Sequence, residues 1–540
     1  MIVPLLCVLL AASPATAPAS ADICVYGGTS AGVIAAVQAR KMGKSVILVS
    51  PSRHLGGLTS GGLGFTDMGN PRTVGGLTRD FFHRIWSHYQ NPGAWTVQTK
   101  DSFPNHGQHG PAFDSKLEIA TVFEPHVAEK VFGDLLAANA GVAIVPGRLA
   151  EKDAVRKIGR RIVSIHLEDG RQISARMFID ASYEGDLMAA AGVSFTVGRE
   201  SNAQYGESID GIRAPSIKNQ LPKGIDPYLR PGNPASGLLP GVNADAGGPI
   251  GSADQKIQAY CYRMCLTDAP RNRLPIAKPA GYRESDYELV FRAIEKGQTR
   301  GFFKLSALPN RKTDSNNDSG ISTDFIGQNY DYPEASYAQR EKIDEAHRQW
   351  QLGLIWTLQN HPRVPESIRK FYGPWGLPRD EFTDTDHWSD QLYIREARRM
   401  VGLVVLTEPL LIQGAASHPI GMGSYQMDSH NVQRIATRDG VENEGDVQHT
   451  VPQPYQIDYD MIVPKAGECG NLLVPVCMSA SHVAYGSIRM EPVFMILGQS
   501  AATAAALSID SGTTVQKLDA QKLASRLEAD GQVLQLPPAG

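Results

Sequence analysis

The sequence predicts an α/β protein: a Rossmann-like dinucleotide-binding domain interrupted by an inserted mixed α+β lobe. Three stretches carry this expectation. Residues 25–36 read VYGGTSAGVIAA, entered by an apolar run and left by an alanine-rich amphipathic one. Residues 175–186 read ARMFIDASYEGD, an apolar strand that ends in a turn of small residues. Residues 485–507 read YGSIRMEPVFMILGQSAATAAAL, a loop and then a helix of small residues. Strand, glycine turn and helix in that order are what a phosphate-cradling βαβ unit requires.

Length and charge set the bounds. At 540 residues the chain exceeds one ordinary core, so two or more lobes are expected. A formal net charge of −4 implies no global attraction to nucleic acid or to an anionic membrane. Residues 1–21, MIVPLLCVLLAASPATAPASA, contain no charged side chain and end in Ala19-Ser20-Ala21. This reads as a secretory leader cleaved after Ala21, which makes the protein exported, periplasmic or extracellular. The apolar run is too short to span a bilayer, and no membrane span is expected elsewhere. Cys7 falls in the leader. Cys24, Cys261, Cys265, Cys469 and Cys477 are too few for a disulfide framework in this length. Cys261 and Cys265 read as buried apolar fillers, and no Cys/His cluster completes a metal site.

The elements of the first unit come in order. Ile23 to Tyr26 is a buried strand, and Gly27 permits the tight turn. Ala31 to Met42 has helical periodicity, with Gly43 ending it. Val46 to Val49 is the second strand. Backbone N–H groups at the helix start would hold a pyrophosphate. Two departures stand out: Thr29 occupies the second glycine of G-x-G-x-x-G, and Ser50 stands where an acidic residue usually accepts the ribose hydroxyls. With Pro51, Ser52 and Arg53 next in the chain, this unit alone leaves FAD and NADP open. Residues 53–64, RHLGGLTSGGLG, form a second glycine cluster suited to close passage of a long cofactor. IVSIHLEDGRQI then reads as a hairpin around Asp169-Gly170, leading into the 175–186 segment.

Together the blocks GGTSAG, HLGGLTSGGLG, FIDASYEGDLMAAAG, GMGSYQMDSHNVQR and LLVPVCMSASHVAYGSIRMEPVFMILGQSAA resemble the FAD-dependent oxidoreductases of the glutathione-reductase-type flavoprotein superfamily, and more narrowly a bacterial exported branch. The resemblance runs from the first strand to about residue 510. It implies FAD as cofactor. Gly27, Gly28, Thr29, Ser30, Ala31 and Gly32 would face the pyrophosphate, with Ser50 and Arg53 at the adenosine. Gly56, Gly57, Leu58 and Thr59 would pass along the cofactor, and Ala181, Ser182, Gly185 and Asp186 beneath it. Gly498, Gln499, Ser500 and Ala501 would open a helix aimed at the flavin pyrimidine carbonyl. The expected division is a leader (1–21), a first FAD-binding part (22–200), an inserted substrate lobe (201–390), a return segment completing the site (391–510) and a tail (511–540). No second G-x-G-x-x-G opens a further βαβ unit, so the flavin is expected to be reduced directly by substrate.

The lobe carries a helical stretch at about 334–358, with Trp350, Leu354 and Leu358 on one side. PNRKTDSNND, 309–318, is a dense polar loop that reads equally as a solvated turn or as donors and acceptors for a hydroxylated ligand. Tyr425, Asp428, His430 and Asn431 are candidate substrate residues, with a polar hairpin as the alternative. His482 is the first choice for general base, since an alcohol or amine proton must leave with the hydride. Arg489 would bind a carboxylate or stabilise an alkoxide. The structural alternative is that His482 caps a turn and Arg489 pairs with Glu491. The expected activity is hydride transfer from a polar small molecule (a sugar, hydroxy acid or amine) to flavin, with dioxygen, a quinone or a redox protein as acceptor. The other class is a non-redox lyase, hydratase or carbohydrate-binding protein with a structural flavin.

Overall fold

The structure, a computed structural model, describes residues 19–216 and 218–536. Its central sheet has the order β3–β2–β1–β6–β5–β4, from β1 (Ser20–Tyr26), β2 (Val46–Ser50), β3 (Val142–Pro146), β4 (Val155–Ile158), β5 (Arg161–His166) and β6 (Gln172–Asp180). β1, β2, β3 and β6 run parallel. Their inner residues, from Ile23 to Tyr26 and from Val46 to Ser50, are buried on both faces, as a covered parallel sheet requires. β5 and β6 form the expected hairpin, pairing Ser164 with Ser174, while Gly170 takes φ 85° in its turn. The short strand Leu472–Leu473 adds in parallel to the far half of β6. Most of the expected leader lies outside the described residues. Ser20 and Ala21 pair with Ser174 and Ala175, so the expected cleavage point falls inside β1.

Helices α1 (Ser30–Lys41), α2 (Gly76–Gln90), α3 (Glu288–Glu295), α4 (Tyr337–Asn360), α5 (His482–Ile488), α6 (Glu491–Ser511) and α7 (Ala520–Ala529) cover this sheet and shape the lobe beside it. α1 is capped by Thr29, whose Oγ1 accepts from Gly32 N, and carries Arg40 and Lys41 against its C-terminal dipole. α6 is the longest buried element. It is apolar and long enough to cross a bilayer, yet it is buried inside the protein along its length. Small residues let it lie directly on α1: a Cβ at Gly498 would stand 2.3 Å from the Ala31 carbonyl oxygen. The membrane-span expectation therefore missed a helix that passes on composition and is a core helix by packing.

The lobe contains the antiparallel trio β7 (Met264–Thr267), β8 (Ser306–Leu308) and β9 (Lys312–Ser315), with β9 central. Cys265 lies on β7, and Cys261 and Cys265 are both buried free thiols. The hairpin β10 (Gln433–Thr437) and β11 (Gly440–Glu444) pairs through β10 with Val242–Asn243. The expected lobe boundary at 390 is thus crossed by hydrogen bonding. The expected tail is likewise part of the core: Leu523 and Leu527 are fully buried, and Gln38 bonds Asp530 at 2.7 Å.

Candidate functional site

The glycine turn, the second glycine cluster and the end of β6 converge, as the sequence implied. Thr29 Oγ1 donates to the Ala181 carbonyl at 2.7 Å, and Gly56 N donates to the Gly28 carbonyl at 2.8 Å. Gly27 sits at φ 108°, where a Cβ would stand 2.6 Å from Ala181 backbone carbon, and a Cβ at Gly32 would strike the Gly27 carbonyl at 1.9 Å. Both positions require glycine. Ser182 binds Asp180 through its N–H and hydroxyl.

Two residues that sequence reasoning missed fill the centre of this turn. The Glu491 carboxylate accepts from Ser30 Oγ at 2.6 Å, from Thr59 Oγ1 at 2.7 Å and from Tyr183 Oη at 2.7 Å. Tyr183 Oη in turn accepts from Leu58 N at 2.9 Å. Burial raises the Glu491 pKa against those three donors. Among the described residues no cation joins the hydrogen-bond partners of this carboxylate. It rests on the hydroxyl donors beside the positive end of α1.

The other expected cofactor residues are placed differently. Ser50 Oγ turns to the Ser52 carbonyl, and Arg53 is exposed and faces Asp384 at 3.4 Å. Gly185 caps a short helix at φ 70°, and Asp186 is paired with Arg340 and Arg398, each at 2.7 Å. The C-terminal helix opens at Glu491, not at Gly498. Gly498 lies at the crossing with α1, Gln499 accepts from Leu77 N, Ser500 donates to the Ile420 carbonyl, and Ala501 is core. Pro492 in the first turn is the sequence signal that marks the true start.

A polar cavity of about 660 Å³ lies beside this helix start. Tyr425, Asp428 and His430 line it, with Asn316, Asn317 and Asp318 from the polar loop. Asn431 does not; its Nδ2 donates to the Asn219 carbonyl. Asp67, Arg263 and Tyr393 are among the lining residues that went unread in the sequence. Arg263 is forked on Asp314 at 2.7 and 2.5 Å, with Nη1 3.8 Å from Asp67. Tyr425 Oη stands 3.3 Å from Asp67 and accepts from Gln108 at 2.6 Å. Arg489 does not pair with Glu491: it donates to Tyr393 Oη and to the Asp428 carbonyl, each at 2.8 Å. Burial pushes the Tyr393 phenol up, and the surrounding guanidiniums, Arg489 foremost, pull it back. Asp67 and Tyr393 also line a narrow slot with Leu58, Tyr183, Arg489 and Glu491.

His482 is not in this cavity. It is 1% exposed, its Nδ1 lies 2.9 Å from the Glu396 carboxylate and its Nε2 lies 2.9 Å from Ser429 Oγ. The serine is fully buried as well, so the Glu–His–Ser series has no route to a ligand. Burial works to lower the imidazole pKa, but Glu396 outweighs it and raises it. The histidine expected from sequence to be a general base is thus buried and paired with Glu396. His430 reaches the cavity, yet its Nδ1 is held by Asp324 at 2.8 Å, which also pairs with Arg395.

A parallel sheet with a glycine turn, an anion-holding helix start and an adjoining polar cavity define a dinucleotide-binding α/β protein. The chain belongs to the FAD dependent oxidoreductase family, whose model matches residues 22–527. A search of curated proteins gave no match. Among solved structures it is similar to a flavin-containing monooxygenase from Stenotrophomonas maltophilia, with 17% identity, 34% of this chain and 43% of that one covered, and a TM-score of 0.19. It is also similar to 3-ketosteroid-Δ4-(5α)-dehydrogenase from Rhodococcus jostii RHA1, with 18% identity, 32% and 48% covered, and a TM-score of 0.20. Thioredoxin reductase of T. acidophilum gives 15% identity, 30% and 35% covered, and a TM-score of 0.17. The chain spans less than half the length of each.

The donor set of the turn fits FAD. Ser30, Thr59 and the start of α1 already hold an anion, the Glu491 carboxylate, where a pyrophosphate would lie.

Proposed function

We propose that this protein oxidises a hydroxylated small molecule, a sugar or hydroxy acid, bound in the Asp67–Tyr393–Asp428 cavity. The supporting observation is that Asp67 and Tyr393 line both that cavity and the slot at the start of α6. When bound, FAD supplies the two-electron acceptor. The chain's residues handle the proton and the charge. Arg489 occupies the Tyr393 oxygen as donor, which leaves the phenol hydrogen to point at a substrate oxygen. Asp67 accepts the hydroxyl proton as the carbinol carbon gives up hydride and the carbonyl forms. Arg263 steadies Asp67. The exported location read from residues 1–21, and dioxygen, a quinone or a redox protein as final acceptor, belong to the same proposal.

The test is anaerobic mixing of FAD-loaded protein with a pool of sugars and hydroxy acids. Bleaching of the flavin absorbance that disappears in Asp67→Asn supports the reading. Bleaching that survives in Asp67→Asn removes Asp67 from its role. A second reading rests on the polar lining of the cavity: Asp67, Asn316, Asn317 and Asp428 also suit a carbohydrate binder. Calorimetric binding of sugars to cofactor-free protein, with no bleaching after loading, would select it.

A further inference from the structure

Away from the turn, a separate cavity of about 380 Å³ opens between α3, α4 and β10. Its walls are aromatic. Phe325 and Trp350 stack at 4.8 Å, and Tyr282 and Tyr287 stack at 4.9 Å. Arg434, on β10, also lines it and is 6% exposed. Its Nε and Nη2 are buried in the cavity wall without a hydrogen-bond partner among the described residues. The acids that face it are engaged elsewhere: Asp324 with Arg395 and His430, and Asp286 with Arg283. Burial pulls the Arg434 pKa down to about 10, so the guanidinium stays charged at neutral pH.

An unpaired buried guanidinium is strongly disfavoured unless an anion joins it. A partner from outside the described residues would complete it. The guanidinium charge at the wall attracts a carboxylate, and stacked aromatic walls match a flat apolar body. The volume lies at the low end of small-molecule sites, about 300–1,000 Å³. We infer that this cavity binds a small aromatic carboxylic acid, its ring between the aromatic walls and its carboxylate on Arg434.

The test is isothermal titration calorimetry of the full chain with 3-phenylpropionate and with its neutral amide, 3-phenylpropanamide. The acid is expected to bind, and the amide to bind at least about tenfold more weakly. Arg434→Met is expected to erase that preference. Ala346→Trp, at an exposed rim position on α4, is expected to block both ligands while leaving Arg434 in place. It also serves if Arg434→Met fails to fold. Equal binding of acid and amide, full acid binding in either variant, or no heat from the acid at millimolar concentration would overturn the inference.

Discussion

Ser30 Oγ donates a 2.6 Å hydrogen bond to the Glu491 carboxylate, joining the start of α1 to the start of α6 across 461 residues. The carboxylate holds the donors that a dinucleotide needs, and its charge opposes a pyrophosphate. Glu491→Gln keeps the shape and removes the charge. It is expected to raise FAD affinity by about tenfold or more, measured by quenching of flavin fluorescence. Burial raises the Glu491 pKa, so FAD uptake by the unaltered chain should improve as pH falls toward that value. Unchanged affinity in Glu491→Gln would show that the carboxylate does not guard the turn.

Asp67 is expected to carry the proton. Asp67→Asn should lower kcat by about 10² to 10⁴, the usual span for a positioned acid–base group. Tyr425→Phe removes one contact to Asp67 and should shift KM more than kcat. The ratio of the two effects, from steady-state kinetics on whichever substrate bleaches the flavin, separates proton transfer from binding.

His482 and Glu396 should govern stability rather than chemistry. The imidazole pKa is raised above its ordinary 6.5, so its contribution is complete below that value and is lost as pH rises through the raised one. The Glu396 pKa is lowered from its ordinary 4.5, so its contribution is present above that value and is lost as pH falls through the lowered one. The pair therefore stabilises most between pH 4.5 and 6.5. Glu396→Gln is expected to cost about 3–5 kcal/mol in that window and to flatten the fall of Tm on the alkaline side. Calorimetric scans at pH 6 and pH 9 give the comparison.

Gly498 tests the α1–α6 crossing. Gly498→Val brings new atoms against the Ala31 backbone, where even a Cβ would stand at 2.3 Å. Overpacking of this kind costs about 1–3 kcal/mol, occasionally more. A matching loss in urea denaturation is expected, together with weaker FAD binding, because Ala31 lies in the first turn of α1. An unchanged midpoint would mean that the helices separate freely.

Local patterns were the most legible part of the fold. The first βαβ unit, the β5–β6 hairpin and the helix holding Trp350 were readable because each is written in consecutive residues. The meeting of Gly27–Gly32 with Gly56–Thr59 and Ala181–Ser182 was readable through glycine and small-residue turns. The start of α6 was misplaced because Gly498 and the alanines read as an approach to a ligand, whereas a neighbouring helix is what they approach. Asp67, Arg263 and Tyr393 could not be read. Each is a single polar residue in its own segment, and only tertiary packing gathers them. His482 looked like a free base because Glu396, its partner, lies 86 residues away.

The sheet and its covering helices also set an order of folding. β1 needs β6 as a neighbour, β6 needs Leu472–Leu473, and α1 needs α6 lying on it. A ribosome that has released only the first two hundred residues has made a sheet with a bare flank and a helix without its cover. Such a nascent chain has nothing to lock it shut, since loop closure over this separation must precede the contacts that reward it. It should stay open until residues 472–511 emerge.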